Sequence, residues 1–115
     1  MKTHDIYIPA IKDTVIYTSG ENSADNFKVI DAANADDYWF HVSEKSSSHV
    51  TVSPPEGINK KQLAKIITQG VVLCKQLSKY ASEKDLPIIY TQIKNIQKTN
   101  IVGSVNVTGG KVVTC

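Results

Sequence analysis

The chain has 115 residues, of which 41% are hydrophobic and 21% charged, and a net charge of +2. That is an ordinary composition for a single globular domain over residues 1–115, with length for one core and not two. No apolar run reaches the roughly 20 residues of a spanning helix, and Met1-Lys2-Thr3-His4-Asp5-Ile6 lacks the apolar core of a signal peptide, so no membrane partner is expected. Two Cys in such a chain fit a reduced, cytoplasmic setting better than a disulfide framework.

The charge is unevenly spread. Residues 1–58 carry 4 Lys against 9 Asp and Glu, and residues 59–115 carry 9 Lys against 2. All 13 basic residues are Lys. Lysine is a point charge without the bidentate fork of arginine, so any nucleic-acid binding would rest on backbone charge more than on base readout.

In chain order, residues 5–8 and 13–17 read as short strands separated by Pro9 and a turn. Ser23 is placed to cap a short helix over Ala24 to Ala33, with Asn22 and Asn26 satisfying local backbone groups at its start. Asp37 to Val42 and Ser48 to Val52 then alternate as a β-hairpin joined by Ser43 to Ser47. Tyr38, Phe40 and Val42 share one face with Val50 and Val52. Pairing Val42 with Ser48 sets Trp39 across from Thr51 and His41 across from His49 on the other. A slip of one residue would separate the two His.

After the break at Ser53-Pro54-Pro55-Glu56-Gly57 comes the clearest helix. Asn59 and Gln62 suit a capping box. Leu63, Ile66, Ile67, Gly70, Val71, Cys74, Leu77 and Ala81 form an apolar stripe at helical spacing. Lys61, Lys65, Lys75 and Lys79 fall on the opposite face, either as solvated surface or as a phosphate-facing stripe. Gly70, in the middle of the apolar stripe, predicts close packing of helix on sheet. Pro87 opens a strand running to Thr91, or marks an edge. Residues 93–98 alternate so that Lys94, Ile96 and Lys98 share a face if extended. Ile101 to Val107 and Lys111 to Val113, joined by Thr108-Gly109-Gly110, read as a final hairpin. The fold class is therefore α+β: a mostly antiparallel sheet of hairpins packed on one long amphipathic helix, with a second short helix.

Asp37-x-Trp39-Phe40-His41-Val42 followed by Ser48-His49-Val50 resembles the signature of the NFACT-R domain family. The resemblance extends to Gly20-x-Asn22-Ser23-Ala24-x-Asn26 and to Tyr90-Thr91-x-x-Lys94-x-Ile96-x-Lys98 with Gly103 beyond, four blocks in the family's order. The family includes the C-terminal module of ribosome quality-control proteins and small stand-alone relatives. It implies a module that binds nucleic acid, RNA first (transfer or ribosomal RNA in translation), without known catalysis or cofactor, and with a ribosome-associated protein as a further partner. Ser46-Ser47 in the loop resembles the stand-alone relatives, which are associated with DNA as well as RNA, more than the Pro-Gly variant of the large ones. On this reading Trp39 stacks on a base, and His41 and His49 contact base or phosphate. Ser47 and Ser48 offer hydroxyls to phosphate or 2′-OH, and Lys94 and Lys98 neutralise phosphates.

Other chemistries fit less well. His41 and His49 make two metal ligands at most, and Glu44 or Asp37 could supply a third, but no compact ligand motif is present. Ser46 to Ser48 lie near two His, but no nucleophile elbow accompanies them. No phosphate-binding glycine loop occurs. The rival class is a protein-interaction module, using a sheet edge or the acidic first half, with no affinity for nucleic acid.

Overall fold

A computed structural model describes residues 1–115. Its strands and helices are β1 (Lys2–Ile8), β2 (Asp13–Ser19), α1 (Ser23–Ala32), β3 (Tyr38–Val42), β4 (Val50–Val52), α2 (Lys60–Leu77), β5 (Pro87–Gln92), β6 (Ile96–Lys98), β7 (Val105–Val107) and β8 (Lys111–Thr114). Six strands form one antiparallel sheet in the order β1-β2-β4-β3-β5-β8, and β6 and β7 form a separate two-stranded ribbon. The architecture is the α+β arrangement that the patterning predicts. No helix is long and apolar enough to cross a membrane.

The β3–β4 ladder pairs Tyr38 with Val52, Trp39 with Thr51 and Phe40 with Val50. This is the expected register, and it divides the sheet's side chains between two faces. Phe40, Val42, Val50 and Val52 join Val15, Tyr17 and Ile88 on one face and meet Ile66, Val71, Leu73 and Cys74 of α2 in the main core. Tyr17 crosses this interface and donates its hydroxyl to the Ile66 carbonyl at 2.7 Å. Gly70 is needed where it stands, because a Cβ there would enter the ring of Phe40. Trp39, His41 and Thr51 alternate with the core residues and point to the opposite face of the sheet, where α1 and the ribbon lie.

Both helices begin on asparagine. Asn22 accepts from the Asp25 amide at 2.8 Å, one residue ahead of the expected Ser23 cap. Asn59 and Gln62 form the reciprocal capping box. At its C-terminus α2 stops earlier than the apolar spacing suggests. The hydroxyl and the amide of Ser78 both donate to the Lys75 carbonyl, and the chain turns extended there. Lys79 and Ala81 therefore lie beyond the helix and leave its stripes.

Two further expectations are corrected. Residues 93–98 are not one strand: Ile93–Asn95 form a 3-10 turn and only Ile96–Lys98 are extended. Residues 101–113 are not a hairpin. β7 pairs with β6, whereas β8 pairs with β5, setting Val113 against Ile88 and Val112 against Ile89. Gly109 at φ +67° carries the chain from one sheet to the other, and Gly110 packs where a Cβ would crowd Ile89. Pro87 is the first residue of β5, a position where its missing N–H costs no ladder bond.

Candidate nucleic-acid interface

On the face away from α2, His49 is the hub. Its backbone amide donates to Oδ1 of Asn26 at 3.1 Å, and its carbonyl accepts from the Gly20 amide at 3.1 Å. A Cβ on Gly20 would run into Asn26, so glycine at 20 is what lets α1 approach β4. The Asn26 side chain thus does not serve the start of its own helix as expected: it ties α1 to His49, 23 residues away at the entrance to β4. At the other side of the imidazole, Trp39 Nε1–H donates to Nδ1 of His49 at 3.1 Å. The neutral ring therefore carries its proton on Nε2. Burial pushes the His49 imidazole down to about 3, with neighbouring His41 adding to the effect and a backbone hydrogen bond to Gly103 opposing it.

The His41 ring stacks on Trp39, with centroids 5.6 Å apart and planes within 6°, and meets His49 edge-on at 4.8 Å. Its Nδ1 donates to the Val42 carbonyl at 2.6 Å. Burial lowers its basicity too, against hydrogen bonds to the Val42 and Ser47 backbones. Both imidazoles are consequently neutral near pH 7.

Trp39 is 1% exposed and His49 also 1%. A base cannot stack on a ring that is enclosed in this way, so in this structure Trp39 and His49 form a floor and not a contact surface. His41 is half-buried and does reach the surface. Above these rings lies a cleft of about 620 Å³. Its walls are the β3–β4 loop, with Glu44 held at φ +59°, and the β6–β7 turn, with Val102 and Gly103. Gly103 (φ +83°) lies so close to α1 that a Cβ would come within 2.9 Å of Ser23. Lys45 stands on the loop side, its Nζ 4.4 Å from the centre of the Tyr80 ring and 3.4 Å from Glu83.

The expected site residues are therefore only partly assembled. Trp39, His41, Ser47 and His49 line this one cleft. Ser47 Oγ accepts from the Val42 amide and donates to the Ser48 carbonyl, bracing the loop. Ser48 follows it in the chain but does not line the cleft. Lys98 sits across the ribbon from Val105, a wall residue, and its Nζ pairs with Asp31 at 2.6 Å. Lys94 pairs with Asp36 at 3.1 Å. Lys61, Lys65 and Lys75 belong to α2, on the other side of the sheet, and the Lys75 amino group is held by the Cys115 carbonyl at 2.6 Å. The helix stripe and the Trp–His cluster thus face opposite ways. The sequence reading did not single out Lys45, Val102 or the cross-strand role of Asn26. Only the Gly20-to-Asn26 block hinted at the last of these.

The family model described as the NFACT protein RNA binding domain matches residues 6–113. No match was found among curated proteins. Among solved structures, the C-terminal part of the fibronectin/fibrinogen-binding protein from Streptococcus suis is similar, with a TM-score of 0.79 and 20% sequence identity. The match covers 99% of this chain and 45% of that one, so the likeness is one of fold over less than half of the neighbour's length.

Proposed function

Because this chain belongs to the family of NFACT RNA-binding domains, we propose that it binds RNA on the face of the sheet opposite α2, around the cleft over His41, and does not transform it. The observation that carries this is the cleft itself, with hydroxyl-bearing walls, a neutral imidazole in its floor, and Lys45 and Lys98 beside it. Lys94 and Lys98 pair only with exposed carboxylates. Such surface pairs contribute about 0–1 kcal/mol, so a phosphate can displace either partner. The Ser47 hydroxyl is committed to its own loop, which argues against Ser47 as a nucleophile. The RNA we propose is structured, of the transfer or ribosomal kind, met in translation or ribosome quality control in the cytoplasm.

The test is a titration of the whole chain with tRNA, an unstructured RNA and duplex DNA at two salt concentrations. Saturable RNA binding that weakens with salt is expected, with Lys94→Ala plus Lys98→Ala reducing the salt slope. No RNA binding at low salt would overturn the proposal, and tighter binding of DNA would move it to the DNA-associated relatives. One feature favours a protein partner instead: β8 is an open sheet edge bearing Val112, 54% exposed.

A further inference from the structure

The walls of the cleft differ in kind from a phosphate site. The charged lining groups, Glu44 and Lys45, are opposite in sign, and the others are hydroxyls, an amide, neutral imidazoles, the Trp39 indole and aliphatic side chains. A backbone phosphate gains little there. An uncharged planar ring gains an apolar wall and several hydrogen-bonding groups. The cleft, at about 620 Å³, has room for a ring of that size.

The apolar wall is held in place against its own solvation. Ile101 and Val102, at the tip of the β6–β7 turn, are 67% and 57% exposed. Two adjacent β-branched side chains left in water are unfavourable unless something covers them. The turn that presents them is braced. The Ser104 amide donates to Ile101, the Thr99 amide donates to Ser104, and Gly103 seats the turn against Ser23. Val102 lines the cleft, and Ile101, next to it in the turn, stands outside the lining.

Resting on the RNA-binding reading, we infer that the cleft receives an unpaired nucleobase, with Val102 and Ile101 as the apolar surface against its ring, in the role for which Trp39 is too deeply buried. The phosphates stay outside, near Lys45 and Lys98. Recognition of the base is then a contribution separate from the salt-dependent one.

The experiment compares an unstructured RNA of about eight nucleotides with a fully paired RNA duplex, on the whole chain, at about 50 and about 200 mM salt. Ile101→Ser plus Val102→Ser alters exposed positions and should keep the wild-type thermal unfolding curve. It should weaken the single strand roughly tenfold at both salts, with an unchanged salt slope and unchanged duplex affinity. Val102→Tyr, which adds an aromatic face, should tighten the single strand. Wild-type affinity in the double variant, an equal loss on the duplex, or wild-type preference for the duplex would each overturn the inference while RNA binding itself stands. Absence of all RNA binding would remove both.

Discussion

Trp39 shows how the role of a residue depends on which side of a β-strand has company. Alternation puts it on the face away from the main core, where it reads from sequence either as an exposed stacking aromatic or as a buried ring with the two His bracing the hairpin. That face is in fact covered by α1 and the ribbon, and the ring is spent on His41 and His49. Alternation assigns a face and says nothing about what a distant segment lays over it. We expect Trp39→Phe to leave the Nδ1 acceptor of His49 buried and unpaired, costing about 1–3 kcal/mol in a urea titration. His49 also ties stability to pH. Its imidazole is near 3 when folded and about 6.5 when unfolded, so below 6.5 the unfolded chain binds the extra proton. The stability it confers is complete above about pH 6.5 and declines as pH falls toward 3, by up to about 1.4 kcal/mol per unit. The lowered basicity of His41 acts in the same sense. Urea midpoints measured from pH 7 to 4 should fall accordingly, and His49→Gln should flatten the trend.

Elements with local signals were legible, and those defined by distant partners were not. The capping box of α2 and the β3–β4 register depend on residues close in sequence, and both are present; of the apolar stripe, Ile66, Gly70, Val71 and Cys74 are buried, joined by Leu73, while Leu77 is exposed. The apolar period runs on to Ala81, whereas the Ser78 bonds to Lys75 end the helix at Leu77. Gly109-Gly110 has the composition of a hairpin turn, yet the strands on either side of it join different sheets. What separates β7 from β8 is that Ile88 and Ile89 offer β8 a place in the larger sheet. The contact of Gly70 with Phe40 yields a clear expectation. Gly70→Ala raises helix propensity by about 1 kcal/mol, yet the added methyl enters an aromatic ring, and overpacking costs roughly 1–3 kcal/mol or more. Net destabilisation in thermal unfolding is the expected result. Asn59→Ala should cost about 1 kcal/mol through loss of the cap.

Across the whole molecule, the sheet separates two sets of lysines. Lys61 and Lys65 ride on α2, while Lys94 and Lys98 lie on the side of α1 and the ribbon. If RNA binds around the cleft, Lys61→Ala plus Lys65→Ala should leave the salt dependence of binding unchanged, whereas Lys94→Ala plus Lys98→Ala should lower its slope by roughly 1–2. No sequence period could have settled which set faces the cleft, since the answer lies in how two helices are shared between two sides of a sheet. The ribbon adds something of another kind. A two-stranded sheet is marginal by itself, and this one is held to the rest by a few points, among them Asn95 on Thr91, Gly103 on Ser23 and Lys98 on Asp31. Its amides should exchange with deuterium through local opening, well before those of β3 and β4. A ligand that grips the wall can bind only while the ribbon is closed. RNA should therefore slow exchange at Val105 to Val107 by the same factor by which it lowers the open population, and that protection reports occupancy of the cleft even if the shape of the molecule does not change.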